Sequence, residues 1–307
     1  MSNAKIVVVG SSNTDMIIKM PRIPKPGETI LGGKFTTAAG GKGANQAVAA
    51  ARVNGNVTFI ARVGDDMFGQ QAVEGFRKDN IDIDHLIVDK VEPSGVALIF
   101  VDDDGENSIA VASGANAKLS AEDVENVQST VRFADVLLMQ LETPLETIQK
   151  TASIAEGNGG KVILNPAPAQ PLSDELLSMI DILTPNEHEA GLLAGIEVTD
   201  VESAKKAGRL LLDKGLKSVI ITLGSQGALL VTEDETELIS GFKVKAVDTT
   251  AAGDTFNGTL AVGLAENMNL KDAIKFANAA AALSVTKLGA QPSAPTREEI
   301  DSFLNRK

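Results

Sequence analysis

The chain contains no cysteine, no tryptophan and no tyrosine, and only two histidines, His85 and His188. Without thiols there can be no disulfide, thiolate nucleophile or sulfur metal ligand. Two histidines rule out a multi-histidine metal centre, and the missing tyrosines rule out a tyrosine-dependent dehydrogenase. No apolar run approaches the roughly 18 residues a membrane helix needs. The run in "MSNAKIVVVGSSN" is too short for a signal-peptide core. These absences fit a cytoplasmic protein that does not enter a membrane. Positive charge is scarce as well: 28 Lys and Arg stand against 41 Asp and Glu, a net charge of −13. Affinity for nucleic acid rests largely on neutralised phosphates, so an acidic chain without a basic cluster is a poor candidate for that role. Any phosphate site here needs local backbone dipoles, one or two lysines, or a metal ion to overcome the global field. The P-loop spacing G-x-x-x-x-G-K-[ST] occurs nowhere. "VVVGSSNTD" also lacks the G-x-G-x-x-G of dinucleotide-dependent oxidoreductases.

What is present is an α/β pattern. The 307 residues suffice for one large α/β domain or two smaller ones, and 43% hydrophobic with 22% charged residues is ordinary for a globular chain. Short β-branched runs at 5–10, 57–64, 134–139, 161–165, 181–184 and 217–222 alternate with helix-length amphipathic segments. Those segments fall at 43–53, 67–79, 120–131, 144–157, 200–214, 254–266 and 270–287. This rhythm predicts a central, mostly parallel sheet with helices on both faces, a Rossmann-like arrangement. Thr143-Pro144-Leu145-Glu146 and Thr296-Arg297-Glu298-Glu299 read as helix starts with a threonine cap and a capping-box glutamate. Two stretches, 14–39 and 94–113, contain strands and turns but no helix, the second folding back around Asp102–Gly105. They predict a small separate sheet that could serve as a lid.

Four segments could carry chemistry. In "AAGGKGANQAVAAARV", Gly40, Gly41 and Gly43 precede an alanine-rich helix with Lys42 among them, so a ligand could reach the helix amides; a turn that merely lets the helix pack closely explains the glycines equally well. "TLGSQG", Thr222–Gly227, lies between two strands, and a plain hairpin turn accounts for it. In "TPNEHEAGLL", Asn186 can cap a helix whose first turn holds Glu187 and Glu189, while His188 reads as a surface residue. In "DTTAAGDTFNG", 248–258, Ala251-Ala252-Gly253 forms a strand-to-helix junction with no bulky side chain. Its amides could form an anion hole, with Asp254 at its edge able to accept a proton from a hydroxyl. That layout suits phosphoryl transfer to an alcohol. An aspartate that simply caps the helix is the plainer alternative, but it leaves the small-residue run unexplained.

Together, "GGKGANQA" and "DTTAAGDTFNG" resemble the two signatures of the ribokinase family of carbohydrate kinases. "TPNEHE" resembles its Asn-x-x-Glu segment and "TLGSQG" its nucleotide loop; "GSSNTD" and "KLGAQPSAP" are similar too. The matches run in order from residue 10 to 295. The resemblance implies a single kinase domain over 1–307, with the lid formed by about 14–39 and 94–113. It implies transfer of the γ-phosphoryl of ATP to O5 of D-ribose, with Asp254 as base and Ala251, Ala252 and Gly253 as anion hole. Asn13, Thr14, Asp15, Gly41, Lys42, Gly43, Ala44, Asn45 and Glu142 would hold the sugar. Asn186, Thr222, Leu223, Gly224, Ser225, Gln226, Gly227, Gly253 and Asn278 would lie along ATP, and Glu189 would act near Mg²⁺ through water. A K⁺ site would fall at Asp248, Thr250, Ser284, Lys287, Gly289 and Ser293, largely through backbone carbonyls. Pairing of lids into a homodimer follows from the exposed sheet edges and one apolar face. Within the family, deoxyribose, fructose or adenosine are alternative acceptors. Outside enzymology, the alternative is a non-catalytic sugar-binding regulator on the same frame.

Overall fold

The computed structural model describes residues 4–306. Across its eight-stranded main sheet the order is Thr236–Ser240, Gly227–Thr232, Ser218–Thr222, Ile182–Leu183, Lys161–Leu164, Val136–Met139, Lys5–Val9 and Asn56–Ile60. From Ser218–Thr222 to Asn56–Ile60 the strands run parallel, while the two at the other edge form an antiparallel meander. The strands read as nearly unbroken apolar runs because both faces are covered. Ile6 and Val8 belong to one buried cluster and Val7 and Val9 to the other. Ile220 likewise faces one side, and Val219 and Ile221 the opposite one. Helices Lys42–Arg52, Ala252–Ala265 and Leu270–Ser284 cover the first face, and Leu145–Ala155 and Val201–Leu212 cover the second.

The two helix-free stretches form a separate four-stranded sheet in the order Lys34–Gly40, Asn13–Lys19, Gly95–Val101, Asn107–Ala112. The turn at 102–105 is closed by the Gly105 amide on the Asp102 carbonyl, with Gly105 at φ 87°. This sheet stands over the carboxyl ends of the parallel strands, since Asn13 and Gly40 follow or precede core elements directly. Ligands of open α/β sheets bind at those ends.

Three local expectations are corrected. The run 57–64 is two strands: Asn56–Ile60 joins the main sheet, and Arg62–Gly64 pairs with Ile87–Asp89. The helix expected at 120–131 is broken into Ala121–Asn126 and Gln128–Arg132. Thr143 caps nothing. The helix begins at Leu145 with Pro144 in extended conformation as its boundary residue, and the buried Thr143 hydroxyl has no partner. Proline at the boundary already fixes the chain's entry, so the threonine is displaced from the cap. The capping box at Thr296/Glu299 forms as expected, and the expected Asn186 cap forms as a full capping box with Glu189.

Candidate active site

The site is built around the first turn of helix Ala252–Ala265. Ala251 precedes it in the left-handed region, φ 58°, and no side chain caps this end. First-turn amides of a helix have no intrahelical partners. The Ala252 amide, expected in the anion hole, is instead met by the Thr249 carbonyl at 3.3 Å, so the uncapped end leaves the amides of Gly253 and Asp254 for a ligand. A Cβ added at Gly253 would meet no atom within 4 Å, so open space lies beside those amides. Asp254 sits one residue further on and is buried. It does not cap the helix: its Oδ2 accepts from Asn45 Nδ2 at 2.9 Å and its Oδ1 from Gln46 Nε2 at 2.9 Å. Burial pushes its pKa up most strongly; nearby Lys42 and the two amide donors pull the other way without cancelling the rise.

On one side of Asp254 lies a cluster of polar groups. Gly41, at φ 88°, turns the chain into helix Lys42–Arg52, and a side chain there would strike the Asn13 amide at 2.6 Å. Glu142, just past the strand Val136–Met139, accepts from the Lys42 amide at 2.9 Å and from the Ser11 hydroxyl through Oε2. Asn13 and Asp15 reach in from the lid. Asp15 has its pKa raised to about 6, by burial first and then by the negative charges of Glu142 and Asp254. The Asn45 side-chain oxygen is buried without a partner, which is expensive unless something occupies the site. Alternation along the strand puts Thr14 on the opposite face from Asp15. Ala44 belongs to the core, holding its turn through its amide to the Ser11 carbonyl. Lys42 faces a small chamber of about 180 Å³, lined also by Asn165, Asn186, Glu189, Thr222 and residues 251–254. Burial works against its charge, but Asp254, Glu142 and Glu189 outweigh that and raise the ammonium pKa.

On the other side a cavity of about 510 Å³ is lined by Thr222, Gly224, Ser225, Gly227, Phe242, Gly253 and Asn278, among others. It shares Thr222, Thr249, Ala252 and Gly253 with the chamber, so the two spaces adjoin at these residues. Asn278 is fixed there by its amide, which donates to the carbonyl of Ile239 at 3.0 Å. Leu223 and Gln226 do not line the cavity. Leu223 is a core residue, and Gln226 holds the loop through its backbone. Asn186 and Glu189 lock each other reciprocally: Glu189 Oε2 accepts the Asn186 amide, and Asn186 Oδ1 accepts the Glu189 amide. Burial raises the Glu189 pKa. Among the described residues no three His, Cys, Asp or Glu converge as a metal cage.

Behind the Ala251 turn, Asp248, Thr250 and Gly289 meet directly. Ser284, Lys287 and Ser293 lie on the adjoining segment, where the Val285 carbonyl accepts the amides of Val247 and Asp248. The Lys287 ammonium turns away to Glu299 at 2.7 Å, leaving only its backbone for this site.

Sequence reasoning passed over Ser11, Gln46, Asn116 and Asn165. Asn116 bonds both backbone groups of Ser12 and the Asn13 side-chain oxygen, the last at 2.7 Å. The one available signal was a polar residue within a run of buried small ones, as at Gln46 among alanines.

The pfkB family carbohydrate kinase model matches residues 3–297. A ribokinase of Haemophilus influenzae is 50% identical over 299 residues, covering 97% of this chain and 98% of that protein. A deoxyribokinase of Salmonella typhi is 38% identical, covering 98% of each. The structure of Arabidopsis thaliana ribokinase complexed with ribose and ATP superposes with a TM-score of 0.93 at 36% identity, over 99% of both chains. With this match and these relatives, the chain that places a buried aspartate at an uncapped small-residue helix start belongs to the pfkB family of carbohydrate kinases.

Proposed function

We propose that this protein transfers the γ-phosphoryl group of ATP to the O5 hydroxyl of D-ribose. The observation that carries the reading is the position of Asp254: a buried carboxylate at the open Gly253 turn, between the polar Asn13–Asp15–Glu142 cluster and the larger cavity. Asn13, Asp15, Lys42, Asn45 and Glu142 hold the sugar hydroxyls. Asp254 accepts the proton of the attacking hydroxyl, and its raised pKa favours that acceptance. The amides of Gly253 and Asp254 and the Lys42 ammonium face the charge that builds on the phosphoryl oxygens.

The nucleotide lies along Asn186 and Thr222–Gly227, with its base toward Asn278. Mg²⁺, bound with ATP, neutralises phosphate charge there. Such an ion rests mainly on phosphates and water, with Glu189 acting near it through water. Asp248, Thr250, Ser284, Lys287, Gly289 and Ser293 hold K⁺, chiefly through carbonyls. The whole chain acts as one kinase unit in the cytoplasm, and its lid pairs with that of a second copy.

Ribose is favoured over 2-deoxyribose because the sugar side is rich in hydroxyl partners, including the orphaned Asn45 oxygen. A missing hydroxyl leaves such a group unpaired, at about 1–3 kcal/mol. Asp254→Asn tests the reading. It keeps the shape of the side chain, so sugar binding by calorimetry should persist while kcat falls about 10²–10⁴-fold. Near-normal turnover by this variant with ribose and ATP would remove Asp254 from the chemistry.

A further inference from the structure

Gln46 is fully buried on helix Lys42–Arg52, amid Ala44, Ala47, Val48, Ala49 and Ala50. A primary amide in such surroundings is costly unless each of its hydrogen-bonding groups is met. All are met. Nε2 donates to Asp254 Oδ1 at 2.9 Å and to Asn165 Oδ1 at 3.1 Å, and Oε1 accepts from Gln140 Nε2 at 2.6 Å. The orientation is forced, because exchanging N and O would set an oxygen against the Asp254 carboxylate. The chain of bonds continues from Asn165 Nδ2 to the Thr184 carbonyl at 2.9 Å. It then runs from the Thr184 hydroxyl to Asn257 Oδ1 at 2.6 Å, and from Asn257 Nδ2 to the Gly253 carbonyl at 2.8 Å. The network leaves the aspartate and returns to the residue before it.

We propose that Gln46 is a positioning residue for phosphoryl transfer: it occupies Oδ1 of Asp254, fixes the carboxylate's orientation, and ties it to the anion-binding turn. Oδ2, held by Asn45 alone, then keeps a lone pair directed to the acceptor hydroxyl. This inference rests on the assignment of Asp254 as the base. The distance between proton acceptor and Gly253 would otherwise depend on a lone side-chain rotamer, and misplacement by about 1 Å can cost 10²-fold in rate.

The charged groups facing Asp254 are Lys42, Glu142, Asp15 and Glu189. None is altered by Gln46→Met, which keeps side-chain length but removes the donor. Losing a donor to the ionised form raises an acid's pKa. In the full-length enzyme with ribose, ATP and Mg²⁺, kcat should fall about 10- to 100-fold. KM for both substrates should stay near the parent value, and the acidic limb of kcat against pH should move upward. Gln140→Met frees the Gln46 oxygen from its partner and should shift that limb in the same direction by less; it decides the matter if Gln46→Met does not fold. An unmoved acidic limb, or a loss confined to KM or to thermal stability, overturns the proposal. Asp254→Asn run alongside separates the two readings. If it retains turnover, the base assignment falls and this inference with it. If it is inactive while Gln46→Met behaves like the parent, only the role of Gln46 falls.

Discussion

Oδ2 of Asp248 accepts the backbone amide of Gly289 at 2.8 Å, joining two loops 41 residues apart in sequence. Oδ1 of the same carboxylate accepts the Thr250 amide and hydroxyl at 2.9 and 2.6 Å. Burial opposes the charge, but these donors outweigh it and lower the pKa, so the group is ionised at neutral pH. A fixed negative charge directly behind the Ala251 turn is what a monovalent cation needs. Activity should rise when K⁺ replaces a large organic cation at equal ionic strength, a control that removes general screening. Na⁺, being smaller, should substitute less well among fixed carbonyls. Asp248→Ala should lose most of the K⁺ response; a variant that responds like the parent would leave Asp248 as a loop brace only.

Gly253 offers a complementary test in which space, not charge, is changed. Its backbone is not in the left-handed region, and a Cβ would enter the open volume beside the first-turn amides. Gly253→Ala should therefore fold normally, with a thermal midpoint equal to or above the parent's, since alanine is favoured over glycine in helices by up to about 1 kcal/mol. The methyl group would stand where the phosphoryl oxygens must come. A drop in kcat of about 10²–10³-fold is expected, the usual worth of an oxyanion donor. Parent-like kcat would mean the amides are not used.

The layered α/β core was legible because residues at 6–9, 136–139 and 162–164 are apolar on both faces, which only a sheet covered twice requires. The lid was legible from the missing helix period. Asp15 entered only through the family resemblance, while glycines and charged groups such as Lys42 and Asp254 marked the candidate site through their local pattern. The neutral amides did not. Gln46, Asn116 and Asn165 matter through side-chain partners 94 to 208 residues away, and no local pattern encodes a contact at such separation. Thr143 failed for a different reason: a valid local capping signal lost to the rigidity of the adjacent Pro144.

If Asp15 holds the sugar as proposed, its raised pKa of about 6 should couple sugar binding to proton release. Sugar hydroxyls donate to a carboxylate and so favour its ionised form, which lowers its pKa when the sugar is bound. Between the free and bound pKa values, binding releases a proton, and affinity falls as pH drops through about 6. Calorimetry of ribose binding near that pH, in two buffers of different ionisation enthalpy, should reveal proton release that Asp15→Asn abolishes. Equal enthalpies in both buffers would mean that Asp15 is not contacted.

The last prediction concerns the lid. Strand pairing sets Ile18 between Phe35 and Phe100, and Leu98 beside Met16. Alternation puts all five on the face turned away from Asp15. Phe35 is 60% exposed and Leu98 46% exposed, leaving apolar surface on that face of the lid sheet. Exposed apolar patches rimmed by polar groups mark association surfaces, and a second copy offers the same surface in self-complementary form. Light scattering should give the mass of two 32.0 kDa chains for the parent. Phe35→Glu combined with Leu98→Glu should give the mass of one, because like charges would meet across the pair. Both side chains point away from the sugar, so ATP turnover should weaken only as far as the lid depends on its partner for rigidity. A parent that is monomeric at micromolar concentration, or a double variant that still sediments as a pair, would place the association elsewhere or nowhere.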